Sequence, residues 1–191
     1  MSKKTALILG CNGQDGSLIC HSLLKKGYEV IGTSRSKYIS KKNLLSLGIE
    51  KDVDIHNAEI TDHDTIKKLI ENNNPKEIYN LACQSSVGKS FDQPINTLES
   101  IVNGTLNILE VAKLISYTGK IFFSGSSEIF GNTDNQASIS HPQQPHNPYA
   151  IAKQCSLKLV ELYRNLYGIK CMTGIMFNHE SPFRNEDFIT H

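Results

Sequence analysis

Three glycines at three-residue spacing near the start of the chain constrain its fold more than any other feature. Gly10, Gly13 and Gly16 come directly after the apolar run Thr5–Leu9 and directly before a stretch with helical periodicity. A tight turn between a strand and a helix needs residues without a Cβ, and a helix N-terminus offers unpaired N–H groups to an anion. The turn therefore predicts a site for the pyrophosphate of a dinucleotide, with a purely structural turn as the alternative.

Four further residues complete this turn and belong to the predicted cofactor site: Cys11, Asn12, Gln14 and Asp15. The spacing G-x-x-G-x-x-G differs from the G-x-G-x-x-G of many dehydrogenases. It resembles the spacing found in the short-chain dehydrogenase/reductase superfamily.

Short apolar runs alternate with longer helix-like stretches along the rest of the chain. We expect six strands, near Thr5–Leu9, Glu29–Thr33, Asp52–His56, Glu77–Leu81, Lys120–Ser124 and Lys170–Ile175. Helices are expected from about Gly16, after Thr61, after Pro94, and from Pro148 or Tyr149 to Tyr167, where Gly168 ends the last one. This order predicts one α/β domain over residues 1–191, a Rossmann-like doubly wound parallel sheet.

Two local features of this layout have specific interpretations. Thr61 and Asp64 stand at capping-box spacing, which predicts that Thr61 caps the helix after it. The polar stretch Asn132–Asn147 has the composition of a loop and precedes the last helix. It is either an active-site loop or an irregular surface connection.

Charge and cysteine content argue against several classes of protein. The chain has 20 lysines and arginines against 19 acidic residues, so no overall field favours nucleic acid or an anionic membrane. Its five cysteines are widely spaced and form no C-x-x-C pair, which argues against a disulfide framework and a zinc site. The first apolar run is too short for a signal peptide or a membrane span. We therefore expect a cytoplasmic protein without metal, nucleic acid or membrane partners.

The residues after the second predicted strand favour NADP over NAD. An NAD enzyme places an acid there to bind the ribose 2′-hydroxyl, whereas the segment Gly32–Ser36 contains none. Arg35 can form charge-assisted hydrogen bonds to a 2′-phosphate, with Ser36 and Lys37 beside it. The alternative is a solvated basic loop that continues through Lys42.

Two pairs of polar residues are candidates for catalysis. Tyr149 and Lys153 stand four residues apart on one face of a predicted helix, where an ammonium favours the use of the tyrosine oxygen as a base. Ser126 and Glu128 follow the fifth predicted strand, at the carboxyl edge of the sheet where ligands bind. The alternatives are two surface residues for the first pair and a capping or solvated carboxylate for Glu128.

Several of these motifs together resemble one enzyme family. The segments Gly13–Ser17, Glu77–Ala82, Ser126–Glu128, Pro148–Lys153 and Phe177–Pro182 resemble those of GDP-mannose 4,6-dehydratases, over nearly the whole chain. The part Asn178–Pro182 discriminates best, because related sugar epimerases and dTDP-glucose dehydratases usually differ there. The resemblance implies an NADP-dependent lyase that acts on the nucleotide sugar GDP-mannose and forms a homo-oligomer. The contact between subunits would involve the loop Arg35–Lys42 or a pair of helices.

The resemblance also implies residue roles. Tyr149 would take the proton of the hexose 4-hydroxyl, and Lys153 would hold the nicotinamide ribose and tune Tyr149. Glu128 would remove the proton at the 5-position and assist loss of the 6-hydroxyl, while Ser126 would replace the usual threonine. Further cofactor contacts are implied for Glu59, Ile60, Leu81, Ala82, Cys83, Gln84, Ser85, His179 and Arg184, and substrate contacts for Ser86, Ser126, Asn178 and Glu180. Taken alone, His179 would more often be an ordinary histidine.

The sequence departs from the family pattern at several places. Glu59 replaces an aspartate, Asn96 replaces a tyrosine, and Phe183 replaces the first of two basic residues, which leaves Arg184. The chain stops at His191, where the family continues into most of the GDP-sugar site, so we expect the C-terminal substrate domain to be largely absent. The chain would then be a fragment or a truncated gene product.

Three functions stay open at this point. A GDP-mannose 4,6-dehydratase is favoured by Glu128 and the segment Asn178–Pro182. A non-catalytic NADP-binding module is favoured by the early end of the chain. A different nucleotide-sugar epimerase or reductase would need Tyr149 and Lys153 but not Glu128.

Overall fold

Six parallel strands form the centre of the fold. The computed structural model describes residues 3–36 and 40–184, and Lys37 of the predicted phosphate site lies outside these residues. The strands are β1 (Thr5–Leu9), β2 (Glu29–Ser34), β3 (Val53–Asn57), β4 (Glu77–Asn80), β5 (Lys120–Ser124) and β6 (Cys171–Gly174). They lie in the order β3-β2-β1-β4-β5-β6 with every neighbouring pair parallel, which confirms the predicted doubly wound sheet.

Helices connect the strands across both faces of the sheet. They are α1 (Gln14–Lys25), α2 (Lys42–Ser46), α3 (His63–Asn73), α4 (Val87–Asp92), α5 (Pro94–Leu98), α6 (Gly104–Leu114) and α7 (Pro148–Tyr167), with a short 3₁₀ helix at Ser127–Phe130. Within the described residues, no helix combines the length and the apolar character that a membrane crossing requires.

Alternating side chains of β1 divide the core into two clusters. Ala6 and Ile8 pack with residues of α1 and α2 on one face, whereas Leu7 and Leu9 pack with residues of α3, α6 and α7 on the other. Successive side chains of a strand point to opposite faces, so a strand covered on both sides is apolar throughout. Strand β1 is central to the core because it contributes side chains to both clusters. Burial of each of its leucine and isoleucine side chains stabilises the fold by about 1.5–3 kcal/mol relative to exposure.

The structure corrects the predicted cap of α3. The helix is capped by Asp62, whose Oδ1 accepts a hydrogen bond from the Thr65 N–H at 3.1 Å and whose Oδ2 accepts one from the Thr65 hydroxyl at 2.6 Å. The prediction of a Thr61 cap with Asp64 was therefore wrong by one residue. The hydrogen bonds to Thr65 lower the pKa of Asp62, because they favour its ionised form.

Two other helices differ in detail from the predicted layout. Helix α1 begins at Gln14, two residues before the predicted Gly16. A helical stretch follows Pro94 as expected, but a π-helical turn at Glu99–Asn103 divides it into α5 and α6. Helix α7 begins and ends as predicted, with Gly168 in the left-handed conformation at its C-terminus (φ 67°).

Candidate active site

A cleft of about 690 Å³ opens where the strands β1, β2, β4 and β5 end. Most of the residues that the sequence assigned to a site line this cleft. They are Gly10, Asn12, Gly13, Gln14, Asp15, Gly16, Arg35, Ser36, Glu59, Ile60, Leu81, Ala82, Cys83, Ser85, Ser126, Tyr149, Lys153, Asn178, His179 and Arg184. The fold thus brings together residues that are separated by up to about 170 positions in the chain.

The glycine turn forms one wall of the cleft. Gly10 has a φ of 87°, and a Cβ on Gly16 would lie 2.9 Å from the Cα of Cys11, so both positions need glycine. A Cβ on Gly13 would meet only the Gly10 oxygen, at 3.6 Å, so packing does not explain this glycine. No side chain caps the N-terminus of α1, and the buried Oε1 of Gln14 has no hydrogen-bond partner among the described residues. The wall therefore suits an anionic ligand that approaches the backbone closely.

Five predicted site residues do not line the cleft: Cys11, Gln84, Ser86, Glu128 and Glu180. The Cys11 side chain is buried in the core cluster around α1. The Gln84 amide donates hydrogen bonds to the Ser86 carbonyl at 2.8 Å and to the Thr97 hydroxyl at 3.1 Å, and it shapes the loop after β4. Ser86 caps α4. The roles of these residues toward a ligand stay predictions.

Tyr149 and Lys153 lie together at one end of the cleft. Both are almost fully buried, and the Lys153 Nζ lies 5.6 Å from the centre of the Tyr149 ring. The ammonium donates hydrogen bonds to the Ser124 carbonyl at 2.7 Å, to the Ser124 hydroxyl at 3.3 Å and to the Cys83 Sγ at 3.4 Å. These contacts fix the charge of Lys153 beside the phenol.

The ionisation of this pair is set by burial and by charge together. Burial raises the pKa of Tyr149, and the neighbouring Lys153 opposes this shift without cancelling it. A hydrogen bond with Ser126 also lowers the pKa of Tyr149, whereas the charges of Cys83 and Glu128 raise it. Burial alone would lower the pKa of Lys153, but the neighbouring Cys83 and Tyr149 outweigh it and the pKa is raised. Lys153 therefore acts in the predicted direction, although the net shift of Tyr149 is upward.

Glu128 lies beside the cleft, within electrostatic range of Tyr149. Its backbone N–H donates to the Ser126 hydroxyl at 3.3 Å, and its Oε2 accepts a hydrogen bond from the Asn147 Nδ2 at 3.1 Å. The Asn147 Oδ1 in turn accepts from the Ala150 N–H at 2.7 Å at the start of α7. The sequence analysis missed Asn147, although an Asn-Pro pair before a helix is a signal for a capping residue.

The segment 177–184 forms a second wall of the cleft and is hydrogen-bonded to the glycine turn. His179 contacts the Phe177 carbonyl through Nδ1 and the Asp15 carboxylate through Nε2, both at 2.7 Å. Gln14 Nε2 donates to the His179 carbonyl at 3.3 Å. Asn43 Nδ2 donates to the Asn12 carbonyl at 3.2 Å and to the Phe183 carbonyl at 3.1 Å, and thus connects both walls.

Several residues that line the cleft were not assigned to a site from the sequence: Thr33, Ser34, Ser40, Asn43, Ala58, Ser100 and Met176. Thr33 and Ser34 end β2, and the rule that ligands bind at the carboxyl ends of parallel strands could have found them. Asn43 and Ser100 come from helices that only the tertiary fold places at the cleft, so the sequence carries no local signal for them.

Comparison with known proteins assigns the chain to a family. The sequence model for GDP-mannose 4,6 dehydratase matches residues 7–191. The chain belongs to this family. It is 38% identical to GDP-mannose 4,6 dehydratase 2 of Arabidopsis thaliana, with 98% of the chain and 53% of the relative covered. It is also 38% identical to GDP-mannose 4,6-dehydratase of Vibrio cholerae serotype O1, with 100% of the chain and 53% of the relative covered.

Solved structures share the fold at lower identity. The structure of dTDP-glucose 4,6-dehydratase from Streptomyces venezuelae, determined with NAD and TYD bound, aligns with a TM-score of 0.87 at 23% identity. The alignment covers 97% of this chain and 59% of the dehydratase chain. The structure of UDP-glucose 4-epimerase from Brucella ovis, determined with NAD, aligns with a TM-score of 0.83 at 22% identity. The alignment covers 92% of this chain and 52% of the epimerase chain. The chain spans about half the length of the curated relatives of its family that it matches.

The contact between His179 and Asp15 should depend on pH. The hydrogen bond to the Phe177 carbonyl and the contact with the Asp15 carboxylate raise the pKa of His179, while partial burial and the charge of Arg184 oppose them. The stabilisation from the protonated imidazole is fully present below the ordinary value of 6.5 and is lost as the pH rises through the folded value. A proton NMR titration of His179 should give a pKa above 6.5 in the native chain, and a lower pKa in Asp15→Asn. The substitution Asp134→Asn, outside the cleft, should leave the titration unchanged, and an unshifted native value would contradict the assignment.

Proposed function

We propose that the whole protein is a GDP-mannose 4,6-dehydratase, which converts GDP-mannose to GDP-4-keto-6-deoxymannose with NADP as its cofactor. The observation that carries this proposal is the arrangement of three groups, two of them at one end of the cleft and the third beside it. The buried Tyr149 and Lys153 lie within electrostatic range of the Glu128 carboxylate. Oxidation of an alcohol needs only the first two groups, whereas elimination of water needs a further acid and base. Membership in the family supports the same assignment.

The cleft suits a nicotinamide dinucleotide. The glycine turn and the uncapped start of α1 would hold the pyrophosphate, and Glu59, Ile60 and the residues 81–85 would hold adenine and ribose. Arg35 and Ser36 line the cleft after β2, where the segment 32–36 has no acid, and this supports NADP. His179 and Arg184 would contact the cofactor from the opposite wall. Two solved structures with the same fold contain NAD, which supports a nicotinamide dinucleotide as the cofactor of this protein.

Tyr149 would start the reaction as a base. Bound in the cleft, the oxidised nicotinamide would supply a hydride acceptor and a positive charge. Tyr149 would take the proton of the hexose 4-hydroxyl, with Ser126 as its hydrogen-bond partner, while the hydrogen on carbon 4 leaves as a hydride to the nicotinamide and the 4-ketone forms. The pKa of Tyr149 is raised by burial, so Lys153 is needed to stabilise the phenolate that forms during this step.

Glu128 would carry out the elimination. A ketone at the 4-position acidifies the proton at the 5-position, and the Glu128 carboxylate would accept that proton. The electron pair of the broken C–H bond forms a double bond between carbons 5 and 6 while the bond from carbon 6 to its hydroxyl breaks. Glu128 would donate the proton to the leaving hydroxyl as this bond breaks, so that water departs. The hydride taken from carbon 4 would then return to carbon 6, and a proton equivalent to the one that Tyr149 accepted would add to carbon 5. This gives the 4-keto-6-deoxy sugar and leaves the cofactor oxidised, as at the start. Ser86, Asn178 and Glu180 would bind the nucleotide sugar. We further propose that the enzyme is cytoplasmic, because its five cysteines are all free and suit a reducing compartment.

A non-catalytic NADP-binding module is the second candidate for the chain by itself. The specific observation in its favour is that the chain spans about half the length of its curated relatives. We expect the isolated chain to bind NADP and to turn over GDP-mannose poorly or not at all.

Mass spectrometry of GDP-mannose after incubation with the protein and NADP⁺ tests the reaction. Loss of one water is expected with the whole protein, and an unchanged mass there would contradict the proposed dehydratase. With the isolated chain, an unchanged mass favours the binding module, and efficient loss of water would refute it. The substitution Glu128→Gln should slow water loss about a hundredfold, as general acid–base groups contribute 10²–10⁴-fold. Reduction of NADP⁺, followed at 340 nm, should persist. An epimerase or reductase would be little affected by Glu128→Gln, and that result would exclude the dehydratase mechanism.

Calorimetric titration with NADP and NAD tests the role of Arg35. Loss of a charge-assisted hydrogen bond costs about 1.5–3 kcal/mol, so Arg35→Ala should weaken NADP binding about tenfold to a hundredfold. Binding of NAD should not change, because NAD lacks the 2′-phosphate. Arg164→Ala removes an exposed arginine of α7 outside the cleft and should leave both affinities unchanged. Equal losses for NADP and NAD would show that Arg35 does not bind the 2′-phosphate.

We also propose that the protein forms a homo-oligomer through the exposed face of α7 and the neighbouring α5. Ile151 and Leu162 are half-exposed and lie on one face of α7, and Ile95 of α5 is 73% exposed. The alternative contact is the loop 35–42. Sedimentation of a variant with Ile151→Asp and Leu162→Asp should show monomers, whereas Ile139→Asp, at an exposed isoleucine of the loop 132–147, should leave the oligomer intact. An unchanged oligomer in the α7 variant would contradict the proposed face.

A further inference from the structure

Asn147 connects two parts of the candidate active site. It lies at the junction between the loop 132–147 and α7, and only 9% of it is exposed. Its Oδ1 accepts the hydrogen bond from the Ala150 N–H at 2.7 Å and thereby caps the helix that carries Tyr149. Its Nδ2 donates to the Glu128 Oε2 at 3.1 Å. Both the oxygen and the nitrogen of the Asn147 amide therefore form hydrogen bonds.

Capping alone does not require asparagine at this position. Serine, threonine or aspartate accepts the same backbone hydrogen bond at a helix start. An asparagine amide offers an acceptor to the helix and an NH₂ donor to a carboxylate at the same time, which aspartate cannot do. The NH₂ group of Asn147 thus serves to bind the Glu128 carboxylate.

The backbone and the side chain of Glu128 are held differently. The Ser126 hydroxyl accepts from the Glu128 N–H at 3.3 Å, and the Ser127 N–H donates to the Met176 carbonyl at 2.9 Å, so the backbone of the 3₁₀ helix is fixed. Among the described residues, Asn147 provides the one hydrogen bond to the Glu128 carboxylate. The orientation of the Glu128 side chain therefore depends on Asn147. Because this hydrogen bond uses Oε2, the lone pairs of Oε1 stay available to accept a proton.

We propose that Asn147 is a positioning residue for the elimination step, which holds the Glu128 carboxylate in place relative to Tyr149. This inference rests on the proposed function. By binding Oε2, Asn147 leaves Oε1 to accept the proton from the 5-position of the 4-keto sugar. The same oxygen returns the proton to the 6-hydroxyl as the carbon–oxygen bond breaks, so the carboxylate is regenerated and water is released. Because Asn147 caps α7, the carboxylate and the phenol of Tyr149 are fixed to one helix turn.

Two substitutions separate this role from capping. Asn147→Ser retains a good cap and removes the amide donor, and Asn147→Asp retains the cap and places a second carboxylate against Glu128. Misplacement of a catalytic group by about 1 Å costs about a hundredfold in rate. We expect water loss from GDP-mannose to fall about tenfold in Asn147→Ser and about a hundredfold in Asn147→Asp. The melting temperature and the reduction of NADP⁺ should be retained in both variants.

A control and a double variant make this test specific. Asp62→Ala removes the cap of α3, far from Glu128 in the chain, and should leave the ratio of water loss to NADP⁺ reduction unchanged. In a Glu128→Gln background, Asn147→Ser should cause no further loss, because Asn147 acts through Glu128. An equal loss of both reaction steps, an unchanged rate of water loss, or an additive double variant would each overturn the proposal.

A physical measurement distinguishes failure of this inference from failure of the proposed function. If the native protein does not dehydrate GDP-mannose, the proposed function fails, and the contact is judged by NMR of the ¹⁵N-labelled chain. The side-chain NH₂ resonances of Asn147 should move in Glu128→Ala, because their carboxylate acceptor is lost, and should stay in place in Asp62→Ala. Resonances that do not move in Glu128→Ala would overturn the contact itself.

Discussion

The close approach of α1 to the end of β1 is the constraint on which the rest of the structure depends. A Cβ on Gly16 would collide with the backbone of the turn, and Gly10 adopts a positive φ, so only glycine lets the helix start this close to the strand. Strand β1 lies between β2 and β4, where the winding of the sheet reverses. The start of α1 is therefore placed at the reversal point, and the cleft opens there because the flanking loops diverge to opposite sides.

Much of the fold could be predicted from the sequence because its signals are local. The strand centres were correct and no strand end differed by more than one residue, since apolar runs and flanking turn residues mark a buried strand. The errors occurred where neighbouring residues compete for one role. Asp62 caps α3 in place of Thr61, and both residues have side chains that accept hydrogen bonds from a helix start. The π-helical turn before α6 has no comparable signal in the sequence.

The candidate site was predictable where a motif sits on a predicted element, as for the glycine turn and the pair Tyr149 and Lys153. It was not predictable where a residue acts from a distant part of the chain. Asn43 joins two walls of the cleft from α2, and its neighbours in sequence give no indication of this. The net pKa shift of Tyr149 also depends on tertiary structure, because burial outweighs the neighbouring ammonium.

The hydrogen bonds between the segment 177–184 and the glycine turn also bear on how easily this wall of the cleft can open. They join exposed or half-buried groups at the surface and involve Asp15, Gln14 and Asn43, whereas the two core clusters lie on the two faces of the sheet. Each such bond contributes only about 0.5–1.5 kcal/mol, far less than the burial of β1. The wall can consequently open as a local fluctuation while the sheet remains folded. Opening of this wall thus requires the loss of surface contacts alone, and exchange of a bound molecule need not disturb the core.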